Sequence, residues 1–133
     1  MTEENPLIRQ VDQFILEQID TVPHLEALLL VWNRRRRAWS ITEMASALYV
    51  PKDLAARILR DLEERGLLEE TPPASGQFTY HSASPDQDNL ISQVDATYRH
   101  DLIRISRMLH AKAPASLRDF ARAFRFTKEK EKE

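Results

Sequence analysis

Residues 41–68 read ITEMASALYVPKDLAARILRDLEERGLL, and their punctuation predicts two helices joined by a tight break. Thr42 is set to cap a short first helix with Met44, Ala45 and Leu48 inward, and Glu43 in its first turn suits the helix dipole. Tyr49 and Val50 make the break. Pro51 opens a second helix at a position where a missing N–H costs nothing. Along it Ala55, Ile58, Leu59 and Leu62 recur at three- and four-residue spacing, which is one apolar face. Gly66 stops the helix as a C′ glycine, and Leu67 and Leu68 resume an apolar, strand-like run. Helix, turn and second helix form a helix-turn-helix unit. Two helices cannot bury their own apolar faces, so further elements must flank them.

Upstream, Asn5-Pro6 reads as an N-cap and N1 pair. Leu7, Ile8, Val11, Phe14, Ile15, Ile19 and Val22 then trace a helical stripe down to a break at Thr21-Val22-Pro23. This helix either covers the domain's own core or pairs with another chain. Pro23 opens the next helix, with Leu25, Leu28, Leu29 and Trp32 inward, and it runs into Asn33 and the block Arg34-Arg35-Arg36-Arg37. Four cations at a helix C-terminus complement the dipole. Arginine is also well suited to charge-assisted bonds with phosphate. Residues 38–41 fit a small first strand, with Trp39 in the core.

Downstream, residues 67–71 and 77–81 read as the two strands of a hairpin, with Phe78 and Tyr80 alternating and a Pro/Gly turn over 72–76. Ser84 and Gln87 make a capping-box start. The helix they open keeps one stripe through Leu90, Ile91, Val94, Tyr98, Leu102, Ile105 and Leu109 to about Lys112. At 1.5 Å per residue this is roughly 40 Å of unbroken helix. A stripe of that length needs another helix; a second copy of the chain is the preferred partner, and the N-terminal helix of the same chain is the alternative. After a break at 113–115, Ser116 with Asp119 starts a short amphipathic helix bearing Leu117, Phe120 and Phe124, with Arg118, Arg122 and Arg125 opposite. Docking on the helical core is its simpler role, and binding a membrane surface or nucleic acid the other. The terminal KEKEKE reads as a solvated tail.

At 133 residues, 42% hydrophobic and 30% charged, the chain suits one globular domain with a real core. It has no cysteine, which removes disulfides, thiolate metal sites and cysteine nucleophiles and fits a reducing cytoplasm. The acidic N-terminus has no signal-peptide pattern, and no apolar run is long enough to span a bilayer, so no membrane partner is expected.

The run Leu62-Glu63-Glu64-Arg65-Gly66-Leu67-Leu68 resembles the end of the recognition helix and the entry to the wing in winged helix-turn-helix regulators, especially the MarR type. Ile41-Thr42-Glu43-Met44-Ala45 is similar to the start of that family's first helix-turn-helix helix. The resemblance is close over about 30 residues, and its architecture extends loosely over most of the chain. It implies a mostly α fold with a small β-hairpin, in which a winged helix-turn-helix core is flanked by N-terminal and long C-terminal helices. On that plan residues 1–22 form an N-terminal helix for dimerisation or core cover, 23–83 the winged helix, 84–126 the C-terminal helices and 127–133 a disordered charged tail. It also implies double-stranded DNA as partner, a homodimer, and room for a small-molecule effector that no residue here identifies.

Carried onto this chain, the start of the recognition helix would offer Lys52, Asp53, Ala56 and Arg57 to the groove, with Arg60 one turn on. Arg57 suits a bidentate contact to guanine. Lys52 and Arg60 suit phosphates, as do Arg34, Arg35, Arg36 and Arg37, with Ser40 and Thr42 supplying hydroxyl or backbone contacts. The chain departs from the family at the hairpin, which carries no Lys or Arg where MarR-type wings have an aspartate and arginine signature. Charge is also unevenly spread: net −4 over residues 1–23, 0 over 24–70, −3 over 71–98 and +5 over 99–133. A neutral reading unit and a cation-free wing favour a second reading, a winged-helix module that binds protein rather than DNA.

Catalysis is not expected. His24, His81, His100 and His110 show no paired metal spacing and read as surface or cap histidines. No serine sits in a nucleophile elbow, and two glycines, Gly66 and Gly76, cannot build a phosphate-cradling loop. No cofactor is implied.

Overall fold

The second helix of the pair, α4 (Lys52–Glu64), buries Ala55, Ile58, Leu59 and Leu62, the four residues whose spacing predicted that face. It follows α3 (Ile41–Leu48), which buries Met44 and Ala45. The structure, a computed structural model, describes residues 6–112. Among them α1 (Pro6–Gln18), α2 (Val22–Asn33) and β1 (Trp39–Ser40) precede this pair. β2 (Leu68–Glu70), β3 (Gln77–Tyr80), α5 (Pro85–His100) and α6 (Leu102–Lys112) follow it. The expected cap at Asn5, the short helix after Ser116 and the charged tail lie outside the described residues.

Two local details differ from the sequence reading. Ser40, not Thr42, caps α3: its Oγ accepts from the Glu43 N–H at 3.1 Å while Glu43 Oε1 accepts from the Ser40 N–H at 2.9 Å, a complete capping box. Pro51 is the N-cap of α4 rather than its first helical residue, with an extended ψ of 154° and its carbonyl receiving the Ala55 N–H at 3.0 Å. Between the helices Tyr49 adopts the left-handed conformation at φ 59°, which lets its N–H bond back to the end of α3.

The hairpin closes into a three-stranded antiparallel sheet in the order β1-β3-β2. Trp39 pairs with Phe78, and Leu68 with Tyr80. Phe78 in the central strand is fully buried, and Tyr80 meets Trp32 edge-on with ring centroids 5.0 Å apart. The Tyr80 hydroxyl donates to Asp88 at 2.7 Å, and burial pushes its pKa up to about 12. This ties the sheet to the first turn of α5.

α2 is the centre of the molecule. His24, Leu25, Ala27, Leu28, Leu29, Val31 and Trp32 are all buried, because α3, α4, β3, α5 and α6 pack around it. Full burial of a leucine stabilises by about 1.5–3 kcal/mol, so this one helix carries a large part of the core. His24 is accordingly buried rather than at the surface, while the other half of the expectation, a cap histidine, fits its place in the first turn, where its N–H donates to the N-cap Thr21 Oγ1 at 3.4 Å.

The predicted long C-terminal helix is two helices. At Asp101 the backbone turns (φ −126°, ψ 42°), its N–H ending α5 on the Thr97 carbonyl at 2.8 Å and its own carbonyl starting α6 by accepting from Ile105 N–H at 3.0 Å. The break lets Ile105 and Leu109 of α6 fold back into the core with Ile91 and Val94 of α5. α1 packs against both helices within the same chain, and Arg104 donates to Asp12 at 2.9 Å across that junction.

Candidate nucleic-acid interface

The face of α4 opposite the core carries Lys52, Asp53, Arg57 and Arg60, all exposed, with Ala56 half-buried beside them. Its sequence gives this face no apolar stripe, so burying Ile58, Leu59 and Leu62 necessarily turns these polar groups outward. The side chains of Lys52, Asp53 and Arg57 make no hydrogen bond or ion pair among the described residues. Arg60 is different. It donates to Glu63 at 3.0 Å and to Glu70 of β2 at 2.9 Å, and its guanidinium lies 5.1 Å from the Phe78 ring centre.

Glu70 also accepts from the Gly76 N–H at 2.7 Å. The Arg60 guanidinium, followed by that backbone N–H, holds the Glu70 carboxyl below the usual glutamate range. One carboxylate therefore latches the hairpin turn to α4. Glu69, on the neighbouring position, lies 3.7 Å from His81.

Arg34 to Arg37 form a turn rather than a last helical stretch. The Arg34 N–H caps α2 on the Val31 carbonyl at 3.2 Å, and Arg37 N–H returns to the Arg34 carbonyl at 2.9 Å. Arg35 lies 3.9 Å over the Trp32 ring and Arg37 4.0 Å over Trp39, cation–π contacts that orient both guanidiniums. The side chains of Arg34 and Arg36 project without a partner among the described residues.

Arg34, Arg37, Trp39, Thr42, Glu43 and Ser46 line an open depression of about 570 Å³ at the start of α3. The Glu43 carboxylate occupies one amide there, the Ser40 N–H. The Ser40 N–H is the main cause that holds its carboxyl below the usual range, and Arg37 at 3.1 Å adds to it. Ser40 thus stands within the capping box, while Thr42 is exposed one turn position further on. A second cavity, about 400 Å³, lies between α2, α3 and α5 and is lined by Glu26, Leu29, Leu30, Leu48, Tyr49 and Tyr98 among others.

Sequence reasoning found the cations and missed their restraints. The Ser40-x-x-Glu43 pattern was available as a capping box. Glu70 as the partner of Arg60 had no signal, because it depends on β2 lying beside α4.

No protein-family model and no curated protein matches this chain. Solved structures do. MepR, a transcription regulator of the Staphylococcus aureus multidrug efflux pump MepA, superposes with a TM-score of 0.51 at 12% identity, over 96% of this chain and 91% of that one. A Mycobacterium tuberculosis MarR family protein gives 0.51 at 19% identity, over 92% and 86%. The fold is that of the MarR-type winged helix. A MepR mutant bound to an oligodeoxyribonucleotide also scores 0.51, at 14% identity over 96% and 91%. On the MarR-type plan α3 and α4 are the helix-turn-helix, and β2 and β3 the wing. Among the described residues no helix is long and apolar enough to cross a membrane.

Proposed function

We propose that this chain is a DNA-binding transcriptional regulator that acts as a homodimer, with α4 in the major groove. The observation that carries this reading is the outer face of α4, where Lys52, Asp53 and Arg57 stand exposed without side-chain partners among the described residues. Arg57 takes a guanine edge, a contact worth about 1–3 kcal/mol of discrimination. Asp53 and Ala56 meet neighbouring base edges, and Lys52 holds a phosphate. Arg34 to Arg37 with Ser40 and Thr42 hold the backbone. Arg60, assigned a phosphate from the sequence, contributes less, since Glu63 and Glu70 already neutralise it. A protein of this fold has been solved with an oligodeoxyribonucleotide, which supports DNA as partner.

A second copy is the natural cover for Ile8 and Leu16 of α1 and Leu102 and Ile103 of α6, all exposed apolar side chains. On this reading the described parts of residues 1–22 and 84–126 serve dimerisation and residues 23–83 serve DNA, in a cytoplasmic protein that is not an enzyme. The cavity between α2, α3 and α5 is the place for a small-molecule effector, since it joins the reading helices to the flanking ones.

Gel filtration with light scattering, followed by titration of the same sample with duplex DNA across salt, tests the reading. A dimer whose log affinity falls linearly with log salt is the expected result. A folded protein that binds neither its own upstream DNA nor random duplex at low salt would overturn it. The acidic, latched wing then favours a winged-helix module that binds protein.

A further inference from the structure

Asp20, His24 and Asp61 converge where the end of α1, the first turn of α2 and the third turn of α4 meet. His24 is 6% exposed. Its Nε2 lies 2.8 Å from Asp61 Oδ2 and 3.9 Å from Asp20 Oδ2, and one ligand atom from each residue lies within 4.8 Å of the others. A ring nitrogen carries at most one hydrogen, so Nε2–H can donate to only one of these two carboxylate oxygens, and without a metal that is Asp61 at 2.8 Å.

The surroundings are arranged around this point as well. His24 Nδ1 lies 2.6 Å from Thr21 Oγ1, a hydroxyl that can accept from Nδ1–H once Nε2 exchanges its proton for a metal ion. Arg65 Nη2 donates to Asp20 Oδ1 at 2.8 Å and Nη1 to the Glu17 carbonyl at 3.2 Å, which leaves Asp20 Oδ2 turned to His24. Histidines and carboxylates that ligate metals are held by just such outer partners, which fix the tautomer and the oxygen presented.

We propose that Asp20, His24 and Asp61 form a divalent-metal site, taking a zinc-class ion through His24 Nε2, Asp20 Oδ2 and Asp61 Oδ2, with water completing the shell. A mixed imidazole and carboxylate set suits zinc or manganese, whereas magnesium and calcium prefer oxygen alone. Among the described residues the charged groups facing the site are Arg65 on Asp20 and Lys112 of α6, whose amine donates to the Ile15 and Ile19 carbonyls and is held below the usual lysine range by burial. These two cations offset the two carboxylates and keep the affinity modest. The ion would pin α4 to the α1–α2 corner. This assignment stands apart from the DNA reading.

The test is calorimetric titration and thermal melting of the chelator-stripped full-length chain with Zn²⁺, Mn²⁺ and Mg²⁺. One Zn²⁺ per chain is expected, raising Tm reversibly to EDTA, with weaker Mn²⁺ binding and none for Mg²⁺. Asp61→Asn should lower Zn²⁺ affinity at least tenfold. Asp20→Asn, which breaks no hydrogen bond to His24, should do the same and keeps the test valid if Asp61→Asn does not fold. Zn²⁺ should also shift the His24 ring ¹⁵N resonances and leave those of His81, His100 and His110 in place. Absence of saturable Zn²⁺ binding, undiminished binding in both variants, or a shift at another histidine instead would overturn the proposal.

Discussion

Replacing Arg34 and Arg36 together by alanine gives the sharpest test of the arginine turn. Arg35 and Arg37 stack on Trp32 and Trp39, so their loss would mix packing with charge. Arg34 and Arg36 are exposed and unpartnered among the described residues. Among the described residues Arg34 makes only backbone bonds, its N–H to the Val31 carbonyl and its carbonyl from the Arg37 N–H, and alanine keeps both. If each guanidinium meets a phosphate, it contributes about 0.9 to the slope of log affinity against log salt, so the double variant should flatten that slope by about 1.8 per chain. Between about 50 and about 200 mM salt, the wild-type chain should then lose about 12-fold more affinity than the variant, and about the square of that in a two-chain complex. Fluorescence anisotropy on a labelled upstream duplex, repeated at four or five salt concentrations, reads this directly. Arg107→Ala on α6 removes an exposed cation elsewhere and serves as control. An unchanged slope in the double variant, or an equal change in the control, would refute the phosphate role of the turn.

Three further outcomes follow from the packing and the caps. Phe78→Ala should lower stability by about 3–5 kcal/mol in urea unfolding, because the ring is fully buried in the central strand; a loss below ~1 kcal/mol would mean the sheet is not packed on α2 and α4 as described. Gly66 and Tyr49 both sit at positive φ, 77° and 59°. Gly66→Ala should therefore cost about 1 kcal/mol although its Cβ meets nothing within 4 Å, while Tyr49→Gly, losing a side chain 94% exposed, should gain about 0.5 kcal/mol. Glu43 and Glu70 have carboxyls held below the ordinary 4.5, so their stabilising share is full above that pH and lost as pH falls through their folded values. Acid unfolding of Glu70→Gln should be less steep than that of the wild type, and matching pH profiles would show that the latch is not formed in solution.

The helix-turn-helix was legible because its boundaries are chemical. Pro51 cannot continue a helix, Gly66 tolerates the conformation that ends one, and the α4 face has a single clear period. The cap slipped from Thr42 to Ser40 because both residues can cap, and only the reach of Glu43 back to the Ser40 N–H decides between them. The break at Asp101 left no mark, since Tyr98, Leu102, Ile105 and Leu109 keep helical spacing across it and neither Gly nor Pro is present. Only the fold-back of α6 onto α1 and α2 imposes it. In the candidate interface the charges were legible and their partners were not. Arg60 and Arg57 look alike in sequence. Glu70, ten residues beyond Arg60, makes one a latch and leaves the other outward. The burial of His24 was illegible for the same reason: Asp20 lies four residues before it, but Asp61 joins them only through packing of α4.

The strand order has a consequence for behaviour at high concentration. β3 has both of its edges occupied, so growth of the sheet by another molecule could occur only on β1 or β2. β1 is two residues long and runs straight into α3, and β2 is three residues long. Glu69 puts an exposed negative charge on that outer strand, Glu70 is tied to Arg60, and Pro72 and Pro73, which lack an N–H, follow after Thr71. The wing therefore offers no template for edge-to-edge aggregation, and association of this chain is directed to its helices.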